Sequence, residues 1–177
     1  MMRAAPTPTR REAIVAAARG CFLRFGYAKT SFGDVAKAAG ISRSLIYTHF
    51  KRKEDLLSAV FTAVFEERYP VVERILAQGG TPSAKLILIY DQLLVEPWAE
   101  VTGGAASDQF LATCEQIIPQ AEEAYEKRRL RYTLAILGDR ELAQIFVMSA
   151  DGLLVDLPSP AVLRKRLKRL IERFTSG

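Results

Sequence analysis

The sequence predicts an all-α protein of about nine helices: a three-helix head carrying a helix-turn-helix, joined to a larger helical body. Three observations lead there. Apolar residues recur at three- and four-residue steps along nearly the whole chain, the period of a helix buried along one side. Gly and Pro punctuate that pattern where helices should stop and restart. Charge is unevenly divided: residues 1–53 hold eleven Lys and Arg against two acids, Glu12 and Asp34, whereas residues 54–177 hold fourteen bases against eighteen acids. A basic head on a mildly acidic body points to a polyanion partner for the head, although a solvated basic face would have the same composition.

Residues 1–8 read as a disordered arm. Thr9 and Glu12 have the spacing of a capping box, in which hydroxyl and carboxylate satisfy the first free N–H groups of a helix. Ile14, Ala17, Ala18, Cys21, Phe22 and Phe25 then line one side of a first helix, which Gly26 ends. Ser31 with Asp34 opens a short second helix that stops at Gly40, and Ser42 caps a third that runs to about Phe50. A fourth helix from Arg52 to Ala77 carries Leu56, Leu57, Val60, Phe61, Val64 and Phe65, with a kink or break expected at Pro70. Gly79-Gly80 is a stop and Thr81-Pro82 a restart, since Pro suits the first helical position. The fifth helix, with Leu86, Ile89, Tyr90, Leu93 and Leu94, runs up to Pro97. Gly103-Gly104 reads as a loop, followed by a sixth helix through Phe110, Leu111, Cys114 and Ile117. Pro119 starts a seventh, rich in charge, that ends near Gly138. The eighth covers Glu141 to Leu157 and the ninth Ala161 to Phe174.

Several function classes lose support from the residues alone. Cys21 and Cys114 are the only cysteines and His49 the only histidine, so a zinc site is not expected. No apolar run approaches the roughly 20 residues of a membrane span, and the first residues lack the apolar core of a secretion signal; a cytoplasmic protein with reduced thiols and no membrane partner is the expectation. An all-α enzyme is the main rival reading. Against it, the sequence has no paired-carboxylate motif, no His–Cys–Ser constellation and no Gly-rich phosphate loop. Glu122, Glu123 and Glu126 are read as a charged, solvated helix face, and no catalytic residue or cofactor is assigned.

The residues from Phe32 to Leu57 carry the most information. A helix-turn-helix needs a small residue where its helices cross and one tolerant of positive φ in the turn; Ala36 and Gly40 meet those needs. Val35, Ala39, Ile41 and Ile46 supply the apolar side, which leaves Arg43, Ser44, Leu45, Tyr47, Thr48 and His49 facing outward. The stretch from about Thr9 to Val60 resembles the N-terminal domain of the TetR family of bacterial transcriptional regulators. The resemblance rests on Phe25-Gly26-Tyr27, Thr30-Ser31, Asp34-Val35-Ala36, Ala39-Gly40-Ile41-Ser42, Tyr47-x-His49-Phe50 and Lys53-Glu54-Asp55-Leu56-Leu57. Ser44 departs from it, since the family often has Gly there.

That resemblance implies a DNA-binding head at 9–53 and a ligand-binding and dimerisation body at 54–177. It implies phosphate contacts from Thr30 and Ser31 at a helix N-terminus and from Tyr47, His49 and Lys53. Arg43, Ser44, Leu45 and Thr48 are then placed to touch base edges, with Arg43 suited to a guanine. Tyr47 packed on Phe50, or His49 capping its helix, would be roles without DNA. The expected partners are double-stranded DNA, a second copy of the chain and a small apolar or amphipathic effector, with repression of a palindromic operator as the output. A protein that binds DNA regardless of sequence is the second rival, because it would need only the basic head.

For the body, Leu142, Ile145, Phe146, Ser149, Gly152 and Leu153 share one helix face, and Leu163, Leu167, Leu170 and Phe174 form a stripe on the last helix. Packed across a two-fold axis these would form a four-helix bundle; alternatively both stripes are intramolecular core. The ligand pocket implied by the resemblance is assigned to Tyr90, Leu94, Trp98, Phe110, Cys114 and Met148, with Tyr125 and Tyr132 as polar handles.

Overall fold

The computed structural model describes residues 9–102 and 113–176, and among these every regular element is helical. The head holds α1 (Arg10–Phe25), α2 (Phe32–Ala39) and α3 (Arg43–His49), and α4 (Lys53–Glu66) leads out of it. Both expected capping boxes form. Thr9 Oγ1 accepts from the Glu12 N–H at 3.2 Å while the Thr9 N–H donates to Glu12 at 2.6 Å, and Ser31 and Asp34 exchange the same pair of bonds. Gly40 closes α2 at φ 65°, where a Cβ would be disfavoured by about 1 kcal/mol, and the Ile41 N–H then returns to the Ala36 carbonyl at 3.0 Å.

The expected long fourth helix is instead two. α4 ends at Glu66 and α5 (Tyr69–Ala77) begins one residue before the site of the foreseen kink. Pro70 has no N–H to give to the Glu66 carbonyl, so it sits in the first turn of a new helix, where that donor is not needed. A similar correction applies at Pro97. Rather than ending a helix, it lies in the first turn of α7 (Glu96–Thr102), reached from α6 (Pro82–Tyr90) through a π-helical turn, Asp91–Val95. Pro97 cannot serve the carbonyl four residues back, that of Leu93; the Tyr125 hydroxyl donates to it instead at 2.7 Å. A bundle neighbour thus satisfies the acceptor that proline orphans.

Residues 113–117 are helical (α8), and α9 (Pro119–Leu137), α10 (Arg140–Gly152) and α11 (Pro160–Thr175) complete the described chain. α10 stops at Gly152, short of the expected Leu157, in a run of turns with Leu157 at φ 50°. Two apolar cores result. The head core contains Ile14, Ala18, Phe22, Val35, Ile46 and Phe50, together with Leu56, Leu57 and Val60 of α4. The body core is built from Val72, Leu86, Ile89, Tyr90, Phe146, Leu163, Leu167 and Ile171, among others. The head therefore does not end at residue 53: α4 buries its first two turns in the head and its last in the body, so a shift of one is felt by the other.

Candidate nucleic-acid interface and the cavity behind it

α3 is pinned from one side only. Ile46 is fully buried and Phe50, under the Arg11 guanidinium at 4.9 Å, seals its C-terminal end. The remaining turns face out: Arg43, Ser44, Tyr47, Thr48 and His49 are exposed and Leu45 half-buried. Tyr47 does not pack on Phe50. Its ring meets Phe32 of α2 edge-on at 5.0 Å and remains 41% exposed, while its hydroxyl accepts from Arg43 at 3.1 Å. Arg43 is thereby splayed along the outer face of α3, with the rest of its fork unengaged by any acid among the described residues. The Ser44 hydroxyl lies 2.9 Å from that of Ser42, and Thr48 donates to the Leu45 carbonyl at 2.7 Å. Six of the nine residues assigned to DNA thus share one solvent face.

Two others have different work. Thr30 is only 2% exposed, and its hydroxyl donates to the Gly26 and Cys21 carbonyls at 2.8 and 3.3 Å. It fastens the α1–α2 connector to the end of α1 and offers no free hydroxyl to a phosphate. Lys53 is equally engaged: its ammonium donates to the carbonyls of Tyr27, Ala28 and Thr30 at 2.9, 3.4 and 3.1 Å and lies 4.2 Å from the Tyr27 ring centre. An ammonium has three donors, and all three are taken. Lys53 is the strap between the start of α4 and the connector rather than an open cation. Ser31 stays exposed at the N-terminus of α2, its hydroxyl donating to Asp34 at 2.6 Å within the capping box.

Behind this head lies a cavity of about 180 Å³, enclosed by α1, α4, the π turn, α7, α9 and α10. Leu94, Trp98 and Tyr125 line it as expected. The other assignments are corrected. Tyr90 is fully buried in the body core, bonded to Thr133 at 2.8 Å. Cys114 is buried in the head core, where burial first and the Glu122 charge second push its thiol up to about 12. Met148 is 73% exposed on the outside of α10, and Tyr132 bonds Glu73. Phe110 lies outside the described residues.

The cavity wall also includes residues that sequence reasoning passed over. Phe61 and Phe65 of α4 join Tyr125, whose ring stacks on Phe65 at 4.0 Å. Arg19 and Leu23 come from α1, so the head itself forms part of the wall. Arg19 pairs with Glu100 of α7, which also takes Arg68, and reaches Glu67 at 3.3 Å. Burial raises the Glu100 pKa, but these guanidiniums outweigh it and hold the carboxyl below its ordinary value. Deeper in, Arg129 is 2% exposed and grips Asp151 with two bonds of 2.5 Å. Glu122, expected on a solvated face, is half-buried in the wall; burial, then the charges of Glu115 and Glu126, push its carboxyl up to about 7. A helical signal existed for this: Glu122, Tyr125, Glu126 and Arg129 recur at three- and four-residue steps and so share a face.

The proposed pairing stripes divide. Phe146, Leu163 and Leu167 are buried within the chain's own core, Phe146 edge-on to Tyr90 and Phe174. Leu142, Ser149, Leu153, Leu170 and Phe174 are half-buried, and Gly152 is exposed. Ile145 and Met148 on α10, at 48% and 73% exposure, and Val155 in the turns after it, at 83%, are left uncovered.

The geometry is that of a helix-turn-helix head set on an all-α body with a cavity at their junction. Residues 14–60 match the family model for bacterial regulatory proteins of the tetR family. An uncharacterised helix-turn-helix-type transcriptional regulator of Bacillus subtilis, YhgD, is 41% identical over 58 residues, 33% of this chain and 30% of that protein. The transcriptional regulator AcrR of Shigella flexneri is 45% identical over 51 residues, 29% of this chain and 24% of that one. These matches span less than a third of either relative. A solved transcriptional regulator from Cytophaga hutchinsonii shares the fold over 93% of this chain and 95% of its own, with a TM-score of 0.78 at 18% identity. Over residues 14–60 the chain is thus similar to the N-terminal domain of the tetR family of bacterial regulatory proteins.

Proposed function

We propose that this protein is a sequence-specific DNA-binding transcriptional regulator that binds a palindromic operator as a homodimer and is released from it by a small effector. The observation that carries this reading is the outer face of α3: polar side chains capable of reading base edges, on a short helix with a rigid apolar backing. One such helix touches too few base pairs for useful discrimination, which favours two heads on one site. The exposed apolar side chains Ile145 and Met148 of α10, with Val155 just beyond it, support self-association through this region, since such side chains are more stable when covered. A dimer seated on its operator occludes the DNA it covers, which makes repression the simplest output. Effector control is supported by the cavity, because α1 and α4 belong to both the head and its wall.

Selection of bound sequences from random duplex DNA tests the core of this reading. A palindrome with two half-sites about one helical turn apart is the expected result. Recovery of no preferred sequence would leave a sequence-independent DNA-binding protein in its place. Light scattering at micromolar concentration should give twice the chain mass, and a monomeric mass would remove the homodimer.

A further inference from the structure

The cavity's electrostatics specify more than an apolar guest. Four carboxylates, Glu100, Glu122, Glu126 and Asp151, share its wall with two guanidiniums, Arg19 and Arg129. Both guanidiniums are engaged: Arg19 by Glu100 and Glu67, Arg129 by Asp151. Glu122 and Glu126 have no cation among the described residues, and they stand one helical turn apart on α9 beside the ring of Tyr125. That excess negative charge faces an aromatic wall of Phe61, Phe65, Trp98 and Tyr125. Rings attract a cation through their faces, so carboxylates and aromatics here select the same sign of ligand.

A second, independent feature belongs to a residue of the same wall. The Nε–H of Arg129 is buried and has no acceptor among the described residues. The charge of this guanidinium is already met by Asp151, so a neutral acceptor on a ligand, a carbonyl or ether oxygen, would complete it. An anion aimed at Arg129 would instead meet the carboxylates around it.

We propose that the cavity takes an amphipathic amine, its flat apolar body against Phe61, Phe65 and Tyr125 and its cationic nitrogen at Glu122 and Glu126. This rests on the cavity being the effector site. The raised pKa of Glu122 supports it, because a buried carboxyl crowded by Glu115 and Glu126 is relieved by an incoming cation. Arg19 and Glu100, in the same wall, give binding a route to the head, since a guest that displaces their contact frees α1 from α7.

Trp98 is the only tryptophan and forms part of the wall, so its fluorescence reports occupancy. Three probes of one shape separate the possibilities: 4-phenylbutylamine, 4-phenylbutyrate and butylbenzene. The amine is expected to give a saturable change with roughly tenfold tighter binding than the carboxylate, the scale of one desolvated charge contact. In Glu122→Gln/Glu126→Gln the amine should lose about that factor while butylbenzene is unaffected. Glu122→Gln alone, isosteric with the protonated acid, should show a smaller loss and serves if the double variant does not fold. Equal or tighter binding of 4-phenylbutyrate, amine binding indifferent to both substitutions, or no saturable response to any probe would overturn the proposal. Amine binding that leaves affinity for the selected operator unchanged supports the ligand assignment and overturns effector control, so the two readings fail separately.

Discussion

Head and body differ in how far their arginines are matched by acids. In the head Arg43 and Lys51, like Arg10, Arg11 and Arg24 on α1 and Lys29 and Lys37 around α2, form no ion pair with any described residue and stand out toward solvent. In the body several arginines are matched across elements: Arg129 with Asp151 and Arg68 with Glu100 inside, Arg164 with Asp91 and Glu96 and Arg166 with Asp156 at the surface. Lys165, Lys168, Arg169 and Arg173 of α11 stay exposed and form no ion pair with any described residue. An unmatched basic surface is open to a polyanion, whereas matched pairs hold helices in register around a cavity. One chain thus leaves most arginines open at one end and uses several as clamps at the other. Two head residues are exceptions: Arg52 pairs with Asp55 at the start of α4, and Arg19, paired in the body's manner, sits at the junction.

Four substitutions or conditions test that contrast, the largest effect first. Asp151→Ala leaves the Arg129 guanidinium buried without its counter-ion, which should destabilise the fold by about 3 kcal/mol, toward the low end for a buried pair because Asp151 is partly exposed. Urea denaturation measures it, and a loss below about 1 kcal/mol would make the clamp no stronger than a surface pair. Arg43→Ala should leave the denaturation midpoint unchanged while losing about 1–3 kcal/mol of discrimination at one operator position. Equal losses on operator and random DNA would show Arg43 to be a backbone contact. Thr30→Val removes the buried hydroxyl that ties the connector to α1, with an expected loss near 1 kcal/mol in stability. Weaker DNA binding at unchanged stability would restore its hydroxyl to the interface.

The smallest effect is a pH slope. Glu122 has a folded pKa of about 7 against an ordinary 4.5, so the folded chain keeps a proton that the unfolded chain releases. Its contribution is therefore full below 4.5 and is lost as pH rises through about 7. Thermal melts across that window should show the wild type losing stability with rising pH relative to Glu122→Gln. Parallel curves would mean that Glu122 is as solvated as its charged neighbours suggested.

Local rules made the head legible. Each capping box, the Gly40 turn and the outward face of α3 depend on residues within four positions of one another, and sequence shows such neighbours directly. Thr30 and Lys53 were assigned to phosphate, whereas the Thr30 hydroxyl is taken by the carbonyls of Cys21 and Gly26 and the Lys53 ammonium by those of the connector, and no spacing announces that Lys53 reaches back to Tyr27, Ala28 and Thr30. In the body, Leu94, Trp98 and Tyr125 were found, yet Tyr90 and Met148 fell on the wrong sides of their helices. An apolar periodicity gives a helix a buried face without saying whether core, cavity or a second chain covers it.

By itself the sequence determined the all-α class, the helix stops at Gly26, Gly40 and Gly138, and the face of α3 turned to solvent, because each follows from backbone chemistry and short-range period. Only the tertiary structure decided which charges meet. Arg19 finds Glu100 across 81 positions and Arg129 finds Asp151 across 22. Those pairings are set by how helices pack, which is a property of the whole bundle, and they place the cavity where head and body join.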